Sequence, residues 1–153
     1  MKDNLAQDYI DSPIGFIQIA ADDSSLKSIS FSNKKLKNPN KITNKAKKQL
    51  EEYFSGKREK FDLPLDKNGT DFQKKVWQSL EKIPFGKTCS YKDIAKKINN
   101  ENASRAVGNA NNKNNFLIVI PCHRVVANDG SLAGYASGTK TKKWLLTHEQ
   151  KGV

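Results

Sequence analysis

The sequence contains little cysteine, little histidine and no long apolar run. Two cysteines and two histidines among 153 residues are too few for a disulfide scaffold or a closed structural zinc site. No apolar run approaches the roughly 20 residues needed to cross a bilayer, and residues 1–13 lack the apolar centre of a secretory signal. We therefore expect a soluble protein of the reducing cytoplasm, with free thiols, no cofactor, no resident metal and no membrane partner.

Arginine is also scarce, although the chain is strongly basic. Lys and Arg total 27 against 16 Asp and Glu, a formal net charge of +11, and only three of these cations are Arg. Residues 1–64 carry 12 basic and 9 acidic side chains, and residues 65–153 carry 15 and 7. The excess in the second half favours a polyanion-binding surface, and the alternative interpretation is a Lys-rich composition from an AT-rich genome. An Arg in such a chain indicates a position that needs a planar guanidinium.

The first half has the pattern of a β-hairpin followed by a helix. Residues 14–21 and 26–31 are short, rich in Ile and Phe, and separated by turn-forming residues at 22–25. A Lys/Asn/Pro stretch at 33–41 predicts a solvated loop. Apolar residues then recur at helical spacing over 42–54.

A break in the pattern divides the chain near its middle. Pro64 and Gly69 are typical of a linker between folded segments. We predict a first domain over residues 1–64, a linker over 65–69 and a second domain over 70–153. The length of the chain fits two such small domains.

Helix signals open the second domain. Thr70 and Gln73 have the spacing of a capping box before an apolar stripe, and Ser90 is a candidate N-cap of a second helix. A polar turn at 99–102 precedes a third helix over 103–112 that is rich in small residues. Two short helices joined by a tight turn are typical of a helix-turn-helix.

The segment after this motif combines an apolar run with a Cys-His pair. Residues 116–120 are continuously apolar and predict a buried strand that leads to Cys122. Residues 128–130 predict a hairpin-type turn. A final helix should begin at Thr139 and carry Glu149 near its end.

Cys122 is a candidate nucleophile because His123 follows it directly. A thiol with a pKa of about 8.5 is only a few per cent ionised at neutral pH, so it needs a base. His123 can be that base, and Glu149 is a candidate to orient its imidazole. His148, on the apolar face of the last helix, is interpreted as a packed or surface histidine. Arg124 is interpreted as a structural hydrogen-bond partner near Cys122, in preference to a DNA contact.

The run IPCHRVV at 120–126 resembles the active-site motif of the O6-alkylguanine-DNA alkyltransferases, also called methylated-DNA–protein-cysteine methyltransferases. The similarity extends through residues 70–150. The other matching positions are Phe72-Gln73, Val76-Trp77, Ile83-Pro84, Gly86, Thr88, Ser90-Tyr91, Ile94-Ala95, 104–108, Asn114, Gly130, Gly134-Tyr135, Gly138, Leu145-Leu146 and Glu149.

The resemblance implies a reaction and a role for each matching residue. Cys122 would accept the alkyl group from O6 of guanine, in one irreversible event per molecule. His123 would remove the thiol proton through a bound water and would itself be held by Glu149. Asn114 would organise this network, and the hydroxyl of Tyr91 would donate a proton to the departing guanine.

The resemblance also implies a fold and two binding surfaces. We expect an α/β protein with a small ribonuclease H-like sheet-and-helix domain, then a mostly helical domain with a winged-helix-like helix-turn-helix. The partner would be duplex DNA that contains O6-alkylguanine or, more weakly, O4-alkylthymine, bound by a monomer with the damaged base flipped out. The base pocket would be formed by Tyr135, Gly134, Ala136, Lys142 and Val125. DNA would be bound by Arg105, which would fill the vacated space in the stack, and by Ser104, Ala103, Ala106, Gly108 and Ser90.

The chain departs from the pattern of many members at Asn115 and Leu117, where they carry Pro. We expect a looser loop there and an altered tolerance for bulky alkyl groups. Three alternative functions stay open at this stage: a sequence-specific helix-turn-helix regulator, a Cys-His hydrolase and a non-catalytic lesion sensor. Lesion sensors of this kind lack the acceptor Cys, which is present here as Cys122.

Overall fold

The computed structural model describes residues 5–132, 135 and 138–151. The chain divides into two compact units, of which the first ends at Lys67 and the second begins at Asn68. Within the described residues, no helix is both long and apolar enough to cross a bilayer. The elements are β1 (Ala6–Ser12), β2 (Gly15–Ala21), β3 (Leu26–Phe31), α1 (Lys41–Phe54), α2 (Asp71–Glu81), β4 (Cys89–Ser90), α3 (Tyr91–Lys97), α4 (Ser104–Asn112), a 3₁₀ turn (Cys122–Arg124), β5 (Val125–Val126) and α5 (Thr139–Lys151).

The first unit is a three-stranded antiparallel sheet covered by one helix. The strands lie in the order β1-β2-β3, and the central strand buries Ile17 and Ile19 completely. Helix α1 packs against β1 and β2 with Leu50 and Tyr53 fully buried. Its N-terminus is closed by a capping box at Asn40. The predicted hairpin and helix are confirmed.

Strand β1 is an element that the sequence pattern did not reveal. Its polar residues obscure the alternation that marks a half-buried strand. Asp8 is nevertheless 2% exposed, because its carboxylate accepts the Tyr9 backbone N–H at 2.8 Å and lies 3.6 Å from Lys47 Nζ on α1. A partnered charge can therefore occupy a position that composition alone would assign to solvent.

The segment assigned to a linker, residues 65–69, is bonded within both units. Leu65 forms a bridge with Leu26, and the Asp66 N–H donates to the Leu26 carbonyl at 2.9 Å. Gly69 packs against Trp77 so closely that a Cβ atom there would lie 2.6 Å from Trp77 Cη2. A side chain at position 69 would therefore have to displace Trp77, and glycine leaves the space that the indole occupies.

Three helices form the first part of the second unit. Thr70 caps α2 and Ser90 caps α3, each in a capping box with the residue three positions later. The Trp77 indole N–H donates to the Ala110 carbonyl at 2.9 Å and so joins α2 to α4. The turn between α3 and α4 begins with Asn99 at a φ of 59°. The predicted helix-turn-helix is therefore α3 and α4.

The prediction of a strand over residues 116–120 is wrong. Those residues are mostly buried, but they form a compact turn in which the Ile120 N–H donates to the Phe116 carbonyl at 3.0 Å. Ile118 has a φ of 71°, a left-handed conformation that is rare for a β-branched residue. The apolar run correctly indicated burial, but burial does not require an extended backbone.

Two predicted features at the end of the chain are confirmed. The Ala127 N–H donates to the Ser131 carbonyl at 3.0 Å, which closes the turn around Gly130 at a φ of 86°. Helix α5 begins at Thr139 and buries Leu145 completely. The described part of the unit also contains strands β4 and β5, which pair in parallel over two residues each.

Candidate active site

Cys122 is the first residue of the 3₁₀ turn and is 7% exposed. The strained turn at Ile118 leads directly to it, and the Cys122 N–H donates to the Ile120 carbonyl at 2.8 Å. A β-branched residue in the left-handed region costs of order 1–3 kcal/mol and persists only where the surrounding structure enforces it. Here the buried side chains of the turn hold the backbone that presents the thiol.

The structure brings His123 and Glu149 into direct contact. His123 Nε2 lies 2.6 Å from Glu149 Oε2, and both side chains are fully buried. Burial lowers the pKa of His123, and this effect outweighs the nearby carboxylate, so the imidazole is neutral at pH 7. His123 Nδ1 is buried with no hydrogen-bond partner among the described residues.

Burial and charges compete at Glu149. Burial alone would raise the pKa of this carboxyl, but the hydrogen bonds from His123 and Arg124 and the positive charge of Arg124 hold it well below its usual range. Arg124 donates to both carboxylate oxygens, at 2.7 and 3.0 Å. Glu149 is therefore a carboxylate that accepts hydrogen bonds on both oxygens.

The thiol of Cys122 is protonated in the resting protein. Burial raises its pKa, and the Asn114 side chain, the Tyr135 hydroxyl and the Lys142 charge oppose this effect without cancelling it. Tyr135 Oη lies 3.8 Å from Cys122 Sγ. Asn114 donates to the Ile120 carbonyl at 2.7 Å, which fixes the turn beside the thiol. A protonated nucleophile needs a base, and His123 is the nearest residue in the sequence that can supply one.

Two predicted pocket residues are bonded to each other. Lys142 is fully buried, and its Nζ donates to the Val125 carbonyl at 2.5 Å. Burial lowers the pKa of this lysine to about 8, although the charge of a Cys122 thiolate would raise it. Lys142 Nζ also lies 5.8 Å from the centre of the Tyr135 ring. The predicted pocket residues Gly134 and Ala136 lie outside the described residues.

Tyr91 is the first residue of α3 and is half-buried. Its pKa is raised by burial and would be raised further by a Cys122 thiolate, so its hydroxyl keeps its proton at neutral pH. A Cβ atom at Gly108 would lie 3.7 Å from Tyr91 Cε1, so the start of α3 faces α4 here. Tyr91 can therefore act as a proton donor.

The predicted DNA-binding residues differ in their exposure. Arg105 and Ala106 are exposed, and Ser104 and Gly108 are partly exposed. Ala103 is only 9% exposed, so α4 packs this residue inward instead of presenting it. The Ser90 hydroxyl accepts the Asp93 N–H at 3.0 Å and is occupied as a cap.

Asn111 is a buried contact of the site that the sequence pattern did not reveal. It is 1% exposed on α4, and its Nδ2 donates to the Cys122 carbonyl at 3.3 Å. An Asn in the polar run 109–115 carries no signal of burial, because such runs are typical of solvated segments. Helix α4, which carries Arg105, is thus bonded to the residue that carries the thiol.

The described residues supply no obvious metal site. No group of three His, Cys, Asp or Glu side chains in that part of the chain is arranged to hold an ion. His123 and Glu149 are occupied with each other, and Cys89, the second cysteine, lies 3.7 Å from Lys97 Nζ.

Comparison with known proteins covers both units. Residues 5–67 match the family description "6-O-methylguanine DNA methyltransferase, ribonuclease-like domain", and residues 71–151 match its "DNA binding domain". The methylated-DNA–protein-cysteine methyltransferase of Methanosarcina barkeri is 48% identical over 154 residues, covering 95% of this chain and 98% of the relative.

Solved structures agree with these matches. The crystal structure of Mycobacterium tuberculosis O6-methylguanine methyltransferase has a TM-score of 0.88 at 38% identity, covering 97% of this chain and 94% of that one. The structure of Mycobacterium tuberculosis OGT in complex with DNA has a TM-score of 0.89 at 39% identity, with the same coverage of both chains. The resemblance seen in the sequence is confirmed, and the chain belongs to the 6-O-methylguanine DNA methyltransferase family.

Proposed function

We propose that this protein repairs O6-alkylguanine in duplex DNA by moving the alkyl group to its own Cys122. The observation that carries the proposal is a buried thiol that precedes, in the sequence, a buried His123–Glu149 pair whose imidazole Nδ1 has no partner among the described residues. Cys122 Sγ attacks the alkyl carbon, an S–C bond forms, and the C–O6 bond breaks with its electron pair leaving on guanine. The product is a thioether, so each molecule acts once.

Two protons move during this transfer. His123 Nδ1 takes the thiol proton through an intervening water, and the Glu149 carboxylate stabilises the imidazolium that forms. Tyr91 donates a proton to the guanine as it leaves, and its raised pKa ensures that the proton is present. Asn114 holds the turn that presents the thiol.

The damaged base must leave the duplex stack to reach a buried thiol. Tyr135 lies against Cys122 and would contact the flipped base, with Val125 and Lys142 behind it. The exposed Arg105 would fill the space left in the stack, because a guanidinium can stack and hydrogen-bond in one plane. Ser104, Ala106 and Gly108 would let α4 approach the minor groove closely.

The names of the relatives support the same substrate. A methylated-DNA–protein-cysteine methyltransferase is 48% identical over nearly the whole chain, and a related protein has been crystallised with DNA. The charge of +11 favours a polyanion as partner. The cytoplasm is the proposed compartment, since its reducing conditions keep both cysteines as thiols. O4-alkylthymine is the weaker proposed substrate.

Mass spectrometry tests the proposal directly. The protein is mixed with a duplex oligonucleotide that contains O6-methylguanine, and both are weighed. We expect the peptide with Cys122 to gain one methyl group and the DNA to lose one, in equal amounts. Cys122→Ser should abolish the transfer, whereas Cys89→Ser, at the other cysteine, should not. Turnover beyond one event per protein, or binding without transfer, would refute the proposal.

A further inference from the structure

Arg124 binds Glu149, and Glu149 in turn contacts His123, the proposed base. We propose that Arg124 is a positioning residue that fixes the tautomer of His123. The inference rests on the proposed function, because it concerns the base that would activate Cys122. Arg124 is 5% exposed and uses three nitrogens. Nε and Nη2 donate to the two oxygens of Glu149 at 2.7 and 3.0 Å, and Nη1 donates to the Ile83 carbonyl at 2.7 Å.

The contacts of Arg124 determine what Glu149 can do. A guanidinium is always protonated, so a two-pronged contact with a buried carboxyl favours the ionised carboxylate. An ionised carboxylate only accepts hydrogen bonds. His123 Nε2, at 2.6 Å from Glu149 Oε2, must therefore be the donor.

The tautomer of His123 follows from this contact. A neutral imidazole carries a single N–H, and here it lies on Nε2. Nδ1 then has a free lone pair, and it is one of the buried atoms that have no hydrogen-bond partner in the described part of the chain. The nitrogen available to take the thiol proton is set by Arg124, although Arg124 has no part in the proton transfer itself.

Loss of Arg124 would have two effects, and each would make His123 a poorer base at low pH. The charged groups that face His123 are Glu149, Arg124 and Lys142. Without the guanidinium, burial would favour the protonated carboxyl of Glu149, which would donate to Nε2 and move the imidazole proton to Nδ1. The pKa of His123 would also rise, because the Arg124 charge now lowers it. Both changes would place a proton on His123 Nδ1, so the free base would be lost first at low pH.

The experiment measures the rate of a single round of methyl transfer from pH 5 to pH 9. Arg124→Met should move the midpoint of the acid limb upward by about one pH unit, so the loss should grow toward pH 5, stay within about tenfold and largely recover at pH 9. Arg124→Lys, which keeps the charge without the fork, should lie between this variant and the parent. Arg58→Met is the matched control, because Arg58 pairs with Glu52 in the first unit. That control should leave the midpoint unchanged.

Two outcomes would overturn the inference. A loss that is equal at every pH would mean that Arg124 only supports the fold of the loop. ¹⁵N NMR of the histidines in the unmodified protein gives a second result that does not depend on a variant folding. A neutral His123 with its proton on Nδ1 would contradict the proposed tautomer. Failure of the proposed function would be seen separately, as the absence of methyl transfer by the parent protein at any pH.

Discussion

Replacing Lys142 by Met should remove a pH-dependent contribution to the stability of the second unit. Lys142 is fully buried, and burial lowers its pKa to about 8 from the usual 10.5. Between these two values the unfolded chain binds more protons than the folded chain, so the free energy of unfolding rises with pH through this window. The interval corresponds to a gain of about 3 kcal/mol between pH 8 and pH 10.5. Met has a similar length and cannot titrate.

Urea unfolding at a series of pH values measures this contribution. Both tryptophans, Trp77 and Trp144, belong to the second unit, so their fluorescence reports its unfolding. The difference between the parent protein and Lys142→Met should grow in favour of the parent by about 3 kcal/mol from pH 8 to pH 10.5. Titrating groups distant from Lys142 contribute equally to both proteins and cancel, and the same comparison in a Cys122→Ser background removes the contribution of the thiol that Lys142 faces. Lys143→Met, at the exposed neighbouring residue, should show no such trend. Parallel curves for the parent and Lys142→Met would refute the argument.

Two further predictions concern α4 and α2. Arg105→Ala should reduce methyl transfer from duplex DNA more than transfer from free O6-methylguanine base, because only the duplex requires the base to be extruded. Equal losses in the two single-turnover assays would contradict a flipping role. Thr70→Ala should destabilise the second unit by about 1 kcal/mol in urea, because the hydroxyl that accepts the Gln73 N–H at 3.1 Å is lost. An unchanged unfolding midpoint would show that the capping box contributes nothing.

Local signals in the sequence were enough to predict the helix starts. A capping box uses residues three positions apart, so Thr70 and Ser90 could be assigned without knowledge of the fold. The β2–β3 hairpin was equally local, because both strands are rich in Ile and Phe and a four-residue turn joins them. The residues that determine these elements lie within a few positions of one another in the sequence.

Features that depend on distant partners could not be predicted in this way. Strand β1 is stable because β2 and Lys47 of α1 supply the partners of its backbone and of Asp8. The turn at Phe116–Ile120 exists because surrounding side chains enforce a left-handed Ile118. Asn111 reaches Cys122 across 11 residues of sequence. None of these contacts produces a periodic pattern of apolar residues in the sequence.

The candidate site combines residues that the sequence predicts with contacts that the sequence does not predict. Cys122, His123 and Glu149 were proposed from residue chemistry and resemblance, and the structure joins the second and third of them at 2.6 Å. Arg124 was assigned a structural role, and its donation to both Glu149 oxygens could not be read from the sequence. The contact of one guanidinium with both oxygens of a carboxylate depends on how the chain folds.

The charges around Cys122 favour the anion that the reaction needs. At neutral pH the buried groups include one anion, Glu149, and two cations, Arg124 and Lys142, while His123 is neutral. These buried side chains therefore carry one uncompensated positive charge before reaction, and it attracts a thiolate at Cys122. Burial keeps the thiol protonated in the absence of substrate, and the nearby Lys142 charge lowers the cost of removing that proton. Burial keeps the thiol protonated at rest and also strengthens the attraction between Lys142 and a Cys122 thiolate, which in the proposed reaction forms when the proton moves to His123.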